Sequence, residues 1–329
     1  MNNSNSTPDS RTGPAGWQII AAFAAVYVVW GATYLGIRYA VTSIPPFLMA
    51  GSRSFVAGLL LYGFARVRGA LTPTKLQWRH AAIAGGLLLM VGNGGVTWAE
   101  QVVPSGVTAL VVALVPFWIV LLDWFRPGGT RPGLRVATGL ATGIAGVALL
   151  TSDDVNHGNS TYRWGIACLM VASVGWAIGS VFNRRAQKPA SPLLAIAMQM
   201  IAGGVLLLVL AMLHGEYRTF SFSRITSASI VAWLYLTCAG SLIGFTAYVW
   251  LLHVSTPARV STYAYVNPLI AVLLGCTIGG ETASPRLFAA GALIVLAVGL
   301  IVSSPSGTNA KPKRDVEAVG EVPMKTTQP

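Results

Sequence analysis

The chain contains itself twice, and this limits what it can fold into more than any other feature. Residues 30–61 align without a gap on residues 176–207, at an offset of 146. Trp30, Arg38, Ala40, Pro46, Leu48, Gly58 and Leu60 meet Trp176, Arg184, Ala186, Pro192, Leu194, Gly204 and Leu206. A second block repeats at an offset of 152, where Gly92, Trp98, Pro116, Gly139 and Ala145 meet Gly244, Trp250, Pro268, Gly291 and Ala297. The difference between the two offsets places a longer loop near residues 214–223. Two similar halves in one membrane chain point to a transporter, because they can exchange roles around a central site.

Composition identifies the solvent. Of 329 residues, 54% are hydrophobic, 10% are charged, and the mean hydropathy is +0.63. A soluble domain carries roughly 25% charged residues. Apolar segments of about 20 residues cross a bilayer as helices. Ten are expected, at 17–39, 46–65, 78–98, 105–123, 132–150, 164–183, 192–213, 228–251, 257–277 and 285–302. Several begin at proline, which suits a first helical turn whose N–H has no partner. The expected organisation is a disordered cytoplasmic leader (1–16), a first five-helix repeat (17–155), a second (156–304) and a disordered tail (305–329). The first helix is too long for a cleaved signal and belongs to the repeat.

Charge sets the orientation. With ten crossings both termini share one side, and sixteen of the 22 Lys and Arg residues fall there. Positive excess marks the cytoplasm, so both termini are expected inside. Five helices per half is an odd number, so the second half enters inverted relative to the first. The net charge of +12 is accounted for by anionic headgroups, with no nucleic-acid partner. Membrane lipid, a small-molecule substrate, a coupling proton and a second copy of the chain are the candidate partners.

Enzyme chemistry lacks its usual signatures. The four histidines form no H-E-x-x-H motif, and there is no phosphate loop and no nucleophile elbow. Asp153 and Asp154 lie in a polar stretch with Asn156, His157 and Asn159, read as a solvated turn rather than a metal site. Cys168, Cys238 and Cys276 fall inside apolar spans without metal-ligand spacing and read as packing residues. No cofactor and no metal are expected.

Polar and aromatic residues inside the spans carry the remaining signal, since polar groups avoid lipid and face the bundle interior or a wet cavity. Trp30 and Tyr34 lie in the first span and Trp176 in the sixth. Asn93 and Trp98 lie in the third, Tyr248 in the eighth, and Tyr263, Tyr265 and Asn267 in the ninth. These are the candidate substrate-binding residues. Pro116 and Pro268, repeat mates, suggest matched kinks that either serve packing or gate the site. Arg53, about two turns inside the second span, needs a partner or water. It either pairs with Glu100 or helix-end carbonyls, or forms a charged vestibule for a substrate carboxylate or coupling proton. Glu100 and Arg53 are thus candidates for coupling. Glu281 is placed to cap the last helix, where an anion is favourable.

These residues resemble the EamA family of the drug/metabolite transporter superfamily, and within it the YedA-like exporters of the bacterial inner membrane. The resemblance covers roughly residues 17–304. It rests on Trp30-Gly31-Ala32-Thr33-Tyr34, on Pro45-Pro46 with Arg53, and on Gly92-Asn93-Gly94 with Ala99-Glu100-Gln101 and Pro104-Ser105-Gly106. Thr262 through Pro268 and Gly279-Gly280-Glu281 complete it. It implies an all-α membrane protein of ten helices in a five-plus-five inverted repeat. It also implies efflux of small metabolites, often amino acids, from a central cavity. Trp98 and Phe117-Trp118 are bulkier than the aliphatics usual there, a departure expected either to narrow that cavity or to change its selectivity. The expected function is secondary active export of amino acids or related amphipathic solutes by alternating access. A passive channel is the second class; a scramblase or assembly scaffold, and a membrane enzyme, are minor options.

Overall fold

A computed structural model describes residues 15–126, 131–157, 160–255, 257–260 and 262–302. The expected leader and tail lie almost wholly outside them, as do the side chains of Asp153, Asp154 and His157. Every regular element among the described residues is helical. Eight helices are long and apolar enough to cross a membrane. They are α1 (Gly16–Ala40), α2 (Pro46–Val67), α3 (Lys75–Ala99), α4 (Ser105–Phe125), α6 (Ser160–Arg185), α7 (Pro192–Leu213), α8 (Ser227–Leu251) and α10 (Pro285–Val302). Two further helices carry shorter apolar stretches: α5 (Leu134–His157), between α4 and α6, and α9 (Tyr263–Thr277), between α8 and α10.

Two sequence expectations need correction. The ninth span is not one helix: Pro257–Val260 forms a separate turn, and α9 has 15 residues. At 1.5 Å per residue it falls short of the roughly 30 Å hydrocarbon core. The polar stretch after residue 150 is not a loop, because α5 continues helically to His157.

The duplication is visible in the backbone. Pro46 and Val67 bound α2, and their mates Pro192 and Leu213 bound α7. Just beyond each C-terminus stands a left-handed glycine, Gly69 at φ 84° and its mate Gly215 at φ 76°. A Cβ is unfavourable in that conformation, so glycine ends both helices.

Packing is reciprocal between the halves. The helices α2 and α7 lie along each other, and so do α5 and α10. A Cβ on Gly58 would come within 2.8 Å of the Ile201 backbone nitrogen, and one on Gly204 within 2.7 Å of that of Phe55. Phe55 and Ile201 are themselves repeat mates, so the close approach is made twice by the same pattern. Small residues permit this helix contact in a membrane, where apolar burial alone drives little association. The first helix of each half packs on the third and fourth places of the other: α1 on α8 and α9, α6 on α3 and α4. Large apolar side chains such as Leu59, Leu60, Phe64, Val205 and Val209 are exposed on the α2–α7 perimeter, as lipid contact requires.

Candidate functional site

The interior is organised by two helices that depart from α geometry at matching places. In α3, residues Gly86–Asn93 form a π-helical stretch; in α8, residues Leu236–Ile243 do the same. A π turn widens the helix, redirects the side chains that follow, and recurs at functional sites. Glycines surround both stretches. Gly94 sits against Leu207 of α7, and Gly95 against Ala172 of α6, so α3 is held between these two helices at Asn93.

Each π-helical span receives a tryptophan from the other half. The Trp30 indole covers Gly244, where an added Cβ would collide with it, and its Nε1 donates to the Gly240 carbonyl at 3.1 Å. Its mate Trp176 covers Gly92, at 3.3 Å from a built Cβ. Gly92 and Gly244 are mates too, so the two contacts are one contact made twice.

Around Trp30 the contact grows into an aromatic cluster. Ring centroids lie 5.2 Å from Phe245, 5.3 Å from Tyr248 and 5.3 Å from Tyr263, and Tyr248 and Tyr263 are 5.9 Å apart. Of the aromatic residues expected at the site, Trp30, Tyr248 and Tyr263 therefore come together, joined by Phe245. Tyr34, Trp98, Trp176 and Tyr265 instead pack as half-buried residues against the main apolar core.

The polar residues divide differently. Arg53, buried at 7% exposure, does not pair with Glu100. Its Nη2 donates to Asn93 Oδ1 at 2.6 Å, and its Nη1 to Ser241 Oγ at 3.4 Å. Both acceptors belong to the π-helical stretches. Ser241 spends its own proton on the Leu236 carbonyl, five residues back, which leaves lone pairs facing the guanidinium. Trp233 Nε1 donates to Ser52 Oγ at 3.0 Å and fixes α8 to α2 beside this contact. Arg53 Nε is buried without a partner.

Asn267 stands apart from Asn93. With its amide nitrogen turned inward it donates to the Tyr27 carbonyl at 3.3 Å and the Tyr263 carbonyl at 3.2 Å. It ties α9 to α1. Pro268 follows it inside a continuous helix, whereas Pro116 opens a second helical piece, Val115–Phe125, after a break at Ala113 and Leu114. The matched prolines thus act differently in the two halves.

Carboxylates complete one end of the bundle. Glu281 does not cap the last helix; Ser284 Oγ does, accepting from the Leu287 amide at 3.1 Å. The Glu281 carboxylate crosses to α4, where it accepts from the amides of Ser105 at 2.6 Å and Gly106 at 3.1 Å and pairs with Arg38. Glu216 does the same for α2, accepting from the amides of Phe47 at 3.1 Å and Leu48 at 2.8 Å. Each anion satisfies the orphan donors of a helix whose start is formed by proline. Glu100, the residue after α3, is buried at 3% exposure with neither oxygen bonded. Burial, reinforced by the nearby Glu281 charge, holds its carboxyl well above the usual range, although Arg38 and Arg53 oppose this.

Sequence reasoning missed Ser241, Glu216, Phe245 and the π-helical stretches. Glycine and leucine runs carry no signal for a π turn, and Glu216 lies in the one loop the repeat does not explain. The recurring Gly92 and Gly244 were the available clue.

The described residues thus define a multispan membrane protein whose two related halves enclose a polar and aromatic interior. Comparison with known proteins gives the class a family. The model of the EamA-like transporter family matches residues 16–152 and again 163–303. The chain is 40% identical to the uncharacterized inner membrane transporter YedA of Escherichia coli K12, over 89% of this chain and 94% of that one. It is 26% identical to a probable amino-acid metabolite efflux pump of Salmonella typhimurium, over 83% of this chain and 90% of that one. A solved structure is similar at a TM-score of 0.58 and 21% identity, covering 87% of this chain and 98% of that one, a likeness of fold. The chain belongs to the EamA-like transporter family.

Proposed function

We propose that this protein is a secondary exporter of small metabolites across the bacterial inner membrane. Amino acids or related amphipathic solutes are its cargo, and it works by alternating access. In this reading α1 to α10 make ten crossings as a five-plus-five inverted repeat, α5 and the short α9 included, with both termini cytoplasmic. The observation that carries it is the reciprocal pair of tryptophan–glycine contacts, Trp30 on Gly244 and Trp176 on Gly92. Two halves that make the same contact in opposite senses can exchange it, as rocking about a fixed centre requires. The Trp30 cluster presents ring faces able to hold an aromatic group or an ammonium, worth roughly 0.5–2 kcal/mol. The family and relatives, transporters by name, favour carriage over catalysis.

Flux in proteoliposomes tests this. Saturable efflux that competitors inhibit is expected, with metabolites accumulating outside cells that overexpress the chain. Flux that stays linear in solute would favour a channel and sink the carrier. Glu100, buried and unpaired, is the proposed coupling carboxyl. Glu100→Gln should lose the response to an imposed pH gradient, and wild-type flux in that variant would remove it from the coupling step.

A further inference from the structure

Arg53 is a buried cation without a counter-ion in contact. Among the described residues no carboxylate lies within ion-pair distance of it, and Glu100, whose field reaches it, makes no bond to it. Leaving a buried charge unpaired is costly, and a chain that keeps one usually keeps it for a ligand or ion. The two neighbours of Arg53 are neutral acceptors, Asn93 and Ser241, which orient the guanidinium without neutralising it. The Nε donor remains free and shielded from water.

The duplication shows that the scaffold does not need this arrangement. The mate of Arg53 is Gln199, neutral and bonded to Asn183 Oδ1 at 3.0 Å within its own half. The mate of Asn93 is Phe245, and that of Ser241 is Leu89. Three polar residues converge on one side of the pseudo-dyad, and their three mates include no charge. The position adds to the case. Arg53 lies about 10 Å along α2 from its start and bonds into both π-helical stretches, whose wider turns redirect the side chains beside it.

We propose that Arg53, held by Asn93 and Ser241, is the seat for an anionic group, a carboxylate, on the transported solute. This rests on the exporter reading and restricts it: neutral amides and simple amines are poor cargo. The guanidinium fork matches a carboxylate geometrically, through donors that the two neighbours leave unused.

The test is ligand-dependent thermal stabilisation of the purified full chain in detergent, which does not depend on turnover. The probes are benzoate, phenylacetate, succinate and the common amino acids, each beside its amide. Stabilisation by one or more acids and not by the matching amides is expected. Arg53→Gln should weaken that binding at least about tenfold, the loss expected for a charge-assisted hydrogen bond. Arg53→Lys, which keeps the cation, should retain part of it. Should Arg53→Gln not fold, Ser241→Ala keeps the charge and should still weaken acid binding a few-fold, about what one neutral hydrogen bond contributes. No stabilisation by any acid, equal stabilisation by amides, or unchanged affinity in the Arg53 or Ser241 variants would overturn the proposal. Flux without acid preference would remove this seat and leave the exporter. Acid binding without flux would do the reverse.

Discussion

At the scale of residues, near-symmetry is more informative than symmetry. Gly244 and Gly92 are mates, yet they are not equally tight. A Cβ on Gly244 meets the Trp30 indole, which its bond to Gly240 and the rings of Phe245, Tyr248 and Tyr263 already fix in place. A Cβ on Gly92 stands 3.3 Å from Trp176, close enough to need only a small adjustment. Gly244→Ala should therefore cost about 1–3 kcal/mol, the usual penalty of overpacking, and Gly92→Ala clearly less. Denaturation in detergent followed by circular dichroism measures both, and equal losses would mean that the two contacts are equivalent. Arg53 and Asn93 were legible in the sequence because polar groups in apolar helices need a reason to be there. The same argument chose Asn267, whose amide is spent on the Tyr27 and Tyr263 carbonyls. It passed over Ser241, since a serine in such a helix usually bonds to its own backbone. Ser241 does so, and accepts from Arg53 as well.

At the scale of elements, pattern located helices well and irregularities poorly. The proline starts of α2 and α7 were readable, as was the repeat that relates them. The π-helical stretches were not, because an apolar run fits an α or a π turn equally. Proline gave an intermediate signal. It marked Pro116 and Pro268 as equivalent, but only Pro116 stands at a broken helix. There its missing N–H falls in the first turn of the second piece, where it costs little. Pro116→Ala supplies a donor able to reach the Val112 carbonyl and join the two pieces of α4. The expected result is a more stable protein with slower flux, the signature of a lost hinge. Pro268→Ala adds a donor toward the Ala264 carbonyl inside a helix that is already continuous. It should gain up to ~3 kcal/mol of stability, the reported cost of an interior proline, and leave flux near wild type. Melting curves paired with flux from the same preparations decide this. Equal slowing by the two substitutions would show that the break in α4 is no hinge.

At the scale of the whole molecule, the reciprocal packing of α1 with α8 and α9, and of α6 with α3 and α4, describes two related halves. It does not fix how they sit across the bilayer. The proposed orientation rests on charge: with ten crossings, sixteen of the 22 cations would fall on the side that holds both termini, an excess proper to the cytoplasm. The proposed inversion demands that repeat mates lie on opposite faces of the membrane. Arg68 and His214 test this directly. They are mates at the offset of 146, each next to its left-handed glycine at the end of α2 or α7, and both are exposed. In a background with Cys168, Cys238 and Cys276 replaced, His214→Cys should react with a membrane-impermeant maleimide in intact bacterial cells. Arg68→Cys should react only after the membrane is permeabilised. A parallel repeat would place both on one face and label them alike, in intact cells or only after lysis. The opposite polarity, with Arg68→Cys labelled first, would keep the inversion but reverse the direction in which export is read. Opposite labelling in the expected sense leaves the Glu281–Arg38 and Glu216 clusters at the outer end of the bundle. The Arg53 seat then lies about two turns inward from that end, on the side from which an exporter releases its cargo.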